Sequence, residues 1–325
     1  MQADETNALV REGKGKKPPV HSRRFVLLFL GLHFAGAIAH GTAFGLTAAL
    51  GRVNADMPIY KLKPIEQNTT SADRFTRVST EAGSILPTQI VMLFYSVSIA
   101  FHTLLFSVLA ISLMFEGVAD WYLDGLLTCT CFTRWLEYFF SASIMMVLCV
   151  RLLGQAELYA LVAAVALMAV TQVFGFVTEL FSSLYVQTLD ETDEGVFKIC
   201  GYDLRRRWKS GTRFNRLLIH FAGYFPYSVS WFFVFDAYAE NMRVIGSEVP
   251  AYTHAMVFAS FAIFSFFGFV QLANQLADFG PSWYWLCEVA YIVLSFVAKA
   301  ELGLLVLFQV LIPDAKYDTF LQIRG

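Results

Sequence analysis

The chain has 325 residues, of which 57% are hydrophobic, 16% aromatic and only 15% charged, with a mean hydropathy of +0.55. That balance excludes an ordinary soluble domain, and a net charge of −2 leaves no basic surface for nucleic acid. Five cysteines (Cys129, Cys131, Cys149, Cys200 and Cys287) lack metal-ligand spacing and read as inert buried thiols, with acylation of the Cys129/Cys131 pair as the alternative.

Residues 1–24 are polar and basic and read as a disordered tail. The apolar run that follows is too long for a signal-peptide core and lacks a cleavage site, so it counts as a spanning helix. Seven spans are predicted, over about 25–50, 88–114, 132–153, 157–187, 214–239, 250–277 and 283–312. The expected fold is therefore an all-α membrane protein, a seven-transmembrane-helix bundle. Residues 51–87 are too long for a simple link and should form a hairpin or cap. Residues 188–213 carry an acidic cluster (Asp190, Glu191, Asp193, Glu194) followed by Arg205-Arg206-Arg207-Trp208-Lys209. That basic run reads as a topology anchor, with contact to anionic membrane lipid as the alternative. Residues 313–325 form a short tail.

Orientation follows from the lysine and arginine bias. Fourteen fall on the side of the N-terminus and nine on the other, five of those nine within the long first connector. The N-terminus is thus expected in the cytoplasm and the C-terminus outside, an inverted topology for a seven-helix receptor. The sequon Asn68-Thr69-Thr70 would then lie outside, where it could be glycosylated.

The seventh span holds Lys299 with about a dozen apolar residues on either side. A lysine at that depth costs about 2.5–3.5 kcal/mol to insert, too deep to be relieved by snorkelling. An ε-amine condensed with an aldehyde, its charge balanced by one buried carboxylate, removes the difficulty. The third span supplies the carboxylate in Arg134-Trp135-Leu136-Glu137-Tyr138, with Ser141 one turn beyond Glu137 on the same face. Pairing of Glu137 with Arg134 is the competing reading. Ser295 lies one turn before Lys299, and Glu288, eleven residues before, shares its face. Glu301 points about 200° away, towards a neighbouring helix, a second subunit or another polar path. Histidines occupy the spans at His33, His40, His102, His220 and His254. His33 and His102 fall in the same half, where a pair could relay protons. Aromatics crowd spans five to seven, Tyr227, Phe264 and Phe267 among them, and a subset could enclose an elongated apolar ligand.

These features resemble a microbial-type rhodopsin, and among those a heliorhodopsin. The resemblance rests on Arg134-Trp135-Leu136-Glu137-Tyr138 with Ser141-Ala142-Ser143, and on Glu288 to Lys299. Leu32-His33, Ala100-Phe101-His102, Ala222-Gly223 with Pro226, and Val249-Pro250 support it. It implies a retinal-binding domain over residues 25–312, with all-trans retinal in the dark bound covalently to Lys299 as a Schiff base. It further implies Glu137 as counterion, a pocket including Ser141, Met145, Tyr227, Phe264, Phe267 and Ser295, a proton-accepting or relay group of His33, His102, Glu288 and Glu301, and a homodimer. The third span has Leu148 where a pump of the ordinary type has a carboxylate donor, and Ser295 replaces the second counterion. A photoreceptor signalling to a cytoplasmic partner is therefore expected rather than a pump or an enzyme. A light-gated proton channel is the alternative, and a chromophore-free transporter a third reading.

Overall fold

The computed structural model describes residues 23–51, 57–66, 75–127, 129–189, 198–199, 202–203, 213–276 and 281–312. Most of the N-terminal tail, Asn68, the acidic cluster with the basic run at 205–209, Cys200 and residues 313–325 lie outside the described residues. Among the described residues eight α-helices and four strands follow in order: α1 (Arg23–Leu50), β1 (Met57–Glu66), β2 (Phe75–Ile85), α2 (Pro87–Ser112), α3 (Asp120–Leu127), α4 (Phe132–Leu152), α5 (Leu158–Leu189), β3 (Lys198–Ile199), β4 (Tyr202–Asp203), α6 (Arg213–Ile245), α7 (Ala251–Leu276) and α8 (Pro281–Val306). A π-helical turn over Leu307–Leu311 extends α8.

All the helices but α3 are long and apolar enough to cross a membrane, which makes the chain a multi-pass integral membrane protein. Helices suit that solvent because they satisfy their own backbone groups. Pro87 opens α2 at a position where its missing N–H costs nothing. Serine and threonine hydroxyls inside the spans turn back to the carbonyl one turn earlier, as Thr178 does to Phe174 at 2.8 Å. Others lock helices together. Ser230 on α6 donates to the Ala164 carbonyl of α5 at 2.8 Å, and Asn241 to the Leu153 carbonyl at 2.9 Å.

The spans close into a ring in which α1 packs on α2, α2 on α4, α4 on α5, and so on to α8, which returns to α1. Helix α4 is the most deeply buried span. Its polar residues Arg134, Glu137, Ser141 and Ser143 are thus all interior. The main core joins Phe94, Met145, Met146, Trp231, Met256 and Leu302. A second core forms under α3, from Phe29, Leu109, Tyr122, Leu126 and Tyr284.

The first connector is an antiparallel hairpin, registered from Met57 opposite Ile85 to Glu66 opposite Phe75, with a bulge at Ile59/Tyr60. It is fastened to the turn between α4 and α5. Tyr60 donates its amide to the Ala156 carbonyl at 2.8 Å. Buried Arg151 donates to the carbonyls of Gln155 at 2.6 Å and Pro58 at 3.0 Å. Lys61 lies 5.7 Å above the Tyr159 ring. Arg151→Ala should strip two carbonyls of their donor, a loss of about 1–3 kcal/mol. Hydrogen exchange would read it as roughly tenfold faster opening at Tyr60, with the spans unaffected.

A lysine, two carboxylate clusters and an apolar cavity

Helix α8 delivers Lys299 to the centre of the ring with 2% of its surface exposed. Its Nζ donates to Glu137 Oε1 on α4 at 2.8 Å. It also donates to Ser295 Oγ, which the one-turn spacing on α8 places alongside. Ser98 of α2 donates to the same Glu137 oxygen at 2.8 Å. The Tyr138 ring covers the ammonium from 5.5 Å. Two opposite charges, both buried, thus neutralise each other at close range, the condition under which a buried ion pair is tolerable. Arg134 takes no part in this pair.

Arg134 instead organises a second cluster. Its guanidinium bridges Glu288 of α8 and Glu179 of α5, one through Nη1 and the other through Nη2. Tyr284 receives a further Nη2 bond at 3.1 Å, and the Tyr291 ring faces the guanidinium carbon at 4.0 Å. Cys131 completes the shell, its amide donating to Glu179 at 3.2 Å and its thiol to Glu288 at 3.3 Å. The planar fork of arginine suits this double task.

Between the two clusters sit the histidines. His33 and His102 meet through their Nδ1 atoms at 2.9 Å, so one ring must carry hydrogen there. His33 Nε2 lies 3.2 Å from the Tyr122 hydroxyl of α3. His40 stacks on His102 at 5.4 Å and lies 5.9 Å from Tyr95. Gly36 makes the approach possible, since a Cβ there would stand 2.9 Å from the His102 ring. A small cavity is bordered by His33, His102, Arg134, Glu137, Glu288 and Ser295, with Leu105, Tyr138 and Ile292 completing its wall. Of the carboxylates singled out inside the spans, Glu301 stands apart. It faces α7, where Ser260 donates to Oε2 at 3.0 Å, and Oε1 is buried with no partner among the described residues.

On the opposite side of Lys299 the ring encloses an apolar space of about 800 Å³, counting its open mouth. Ser141, Met145, Tyr227, Phe264, Phe267, Ser295 and Lys299 all border it. Tyr227 is held by Ser265 at 2.8 Å. Three glycines shape the walls. A Cβ at Gly175 would enter the Trp135 ring, one at Gly268 the Tyr224 hydroxyl, and one at Gly223 would stand 2.9 Å from Phe174. The space is bordered by an amine at one end and by mostly apolar groups elsewhere, and so suits a long apolar molecule with a carbonyl terminus. Retinal has that shape and chemistry, and the residues present fit it.

Sequence reasoning misses Ser98, Tyr95, Tyr284 and Glu179. Glu179 carried a usable signal, being a carboxylate within an apolar span. The hydroxyls carried none, because nothing in their own helices shows which partner they will face.

No curated protein matches the chain significantly. The family model described as Heliorhodopsin matches residues 59–311, which takes in every span but the first. Membership of that family implies a retinal chromophore, in agreement with the cavity at Lys299. The chain belongs to the heliorhodopsin family.

Proposed function

We propose that this protein is a light-sensing photoreceptor in which Lys299 holds all-trans retinal in the dark through a Schiff base and Glu137 is its counterion. The observation that carries the reading is the Lys299 amine at the end of an apolar cavity, with one carboxylate oxygen 2.8 Å away. Bound retinal supplies visible absorption and a light-driven change of shape. The chain's own residues do the rest. Glu137 stabilises positive charge at Nζ, Ser98 and Ser295 fix the positions of the two partners, and Tyr138 shields them. His33, His102 and Glu288, which border the same small cavity as Glu137, are the groups placed to take up a proton from that point.

Signalling rather than pumping is supported by Leu148, a fully buried apolar residue where a pump of the ordinary type has a donor carboxylate. The N-terminus is assigned to the cytoplasm on the charge bias, so the Arg134 end of the bundle faces a cytoplasmic partner. A homodimer is the expected assembly. Glu301 favours a second reading, a light-gated proton conductance, because it places a carboxylate on the far side of Lys299 from the histidines. Voltage clamp under illumination separates the two. Sustained photocurrent would establish the channel, and silence the sensor.

The counterion is tested by Glu137→Gln. Without the carboxylate, visible absorption after regeneration with retinal should shift to the red by tens of nanometres or give way to the ultraviolet band of a neutral linkage. An unchanged visible band would exclude Glu137 as counterion.

A further inference from the structure

The cavity beside Lys299 is not apolar throughout. At the end bordered by the α6 N-terminal half and the α7 C-terminal half stand two polar side chains, both more than nine-tenths buried, each with an atom lacking a partner among the described residues. They are His220 Nε2 and Gln271 Nε2. Gln271 is otherwise well held, its Oε1 accepting from the Tyr291 hydroxyl at 2.5 Å. That bond turns the amide so that its NH₂ is the free end. His220 is set edge-on against Tyr224, ring centres 5.2 Å apart.

The two groups lie at one level. Tyr224 of α6 touches α7 at Gly268, where a side chain would collide with its hydroxyl. The two helices are consecutive and antiparallel. One turn towards the start of α6 reaches His220, and one turn towards the end of α7 reaches Gln271. Both steps run in the same direction by about 5 Å. Tyr291, which holds Gln271, is eight residues before Lys299 along α8, a rise of about 12 Å between their backbone positions. A buried donor and a buried ring nitrogen left unsatisfied are each costly, and a built pocket that tolerates both is built for something polar.

We infer that the His220–Gln271 end of the cavity is a subsite for an oxygen substituent on the ring of the chromophore, making a ring-hydroxylated retinal the preferred ligand. The Gln271 amide donates to the hydroxyl oxygen, and the hydroxyl donates to His220 Nε2 in the tautomer protonated at Nδ1. An unsubstituted ring would leave both groups unpaired. A site that hydrogen-bonds a hydroxyl discriminates against the analogue lacking it, because its own polar atoms are stranded. The inference rests on the retinal reading above, and the experiment separates the two.

The apoprotein is given an equimolar mixture of all-trans-retinal and all-trans-3-hydroxyretinal in excess, and the bound aldehydes are released as oximes and quantified. The expected result is an enrichment of the hydroxylated form of about fivefold or more. The double variant His220→Phe/Gln271→Leu should still form a visible pigment with all-trans-retinal but take up the two aldehydes equally. His220→Gln, which keeps a polar atom at the site, should retain part of the preference. Visible pigment with both aldehydes and no enrichment in the native protein would overturn the subsite and leave the retinal reading standing. Enrichment that survives in the double variant would overturn the assignment to these residues. No visible pigment with either aldehyde would remove the retinal reading and the subsite with it.

Discussion

Lys299→Ala will form no visible pigment with retinal, while the native chain will. The substitution removes the one amine bordering the cavity among the described residues. It also strands Glu137, which keeps Ser98 as a donor but loses the cation that balances its charge. Removing one partner of a buried pair costs about 3–5 kcal/mol, so loss of pigment by itself would not separate chemistry from unfolding. Lys299→Met with Glu137→Gln removes both charges in similar volume and should regain most of the lost stability. If that double variant is folded, by circular dichroism and gel filtration, and still colourless, the lysine is the attachment point. A visible band in either variant would sink the assignment.

Arg134→Met should be the most destabilising single change in the bundle. The arginine is the one cation shared by Glu179 and Glu288 among the described residues. Its loss leaves two buried carboxylates without their shared cation. At about 3–5 kcal/mol for one stranded charge, the thermal midpoint should fall by on the order of 10 °C. Adding Glu179→Gln and Glu288→Gln should recover most of that fall, since the neutral amides can remain buried with hydrogen bonds. A midpoint unchanged by Arg134→Met would mean that the cluster contributes nothing to the fold.

The spans were legible because a bilayer demands length and apolarity, and both are written in consecutive residues. Lys299 and Glu137 were legible for the converse reason, since a charge is conspicuous where everything around it is apolar. Glu179, a carboxylate within an apolar span, obeys the same rule. Its pairing with Arg134 was not legible, because the proximity of Arg134 to Glu137 in sequence suggested the wrong carboxylate. Helix geometry explains the outcome. Residues three apart on α4 diverge enough that Arg134 turns to α5 and α8 while Glu137 turns to α2 and the centre. Tyr95 lay beyond reach, since it acquires its meaning from a helix that closes the ring from the other end of the chain, and Ser98 acquires its own from a carboxylate on the next span. The subsite at His220 and Gln271 is of the same kind, built where two antiparallel helices happen to be level.

One contact bears on how the bundle would move. The Tyr95 hydroxyl of α2 donates to the main-chain oxygen of Lys299 at 3.1 Å, in a gap that exists because Gly303, one turn on, has no side chain. Lys299 is therefore moored twice, by its ammonium to α4 and by its backbone to α2. A lever clamped at both its tip and its pivot cannot yield locally. Force applied at Nζ is carried into two neighbouring helices at once, and α2 also bears Ser98 and His102. Such a linkage stores load until a bond breaks and then shifts by a whole step, so it favours a switch with two positions over a gradual bend.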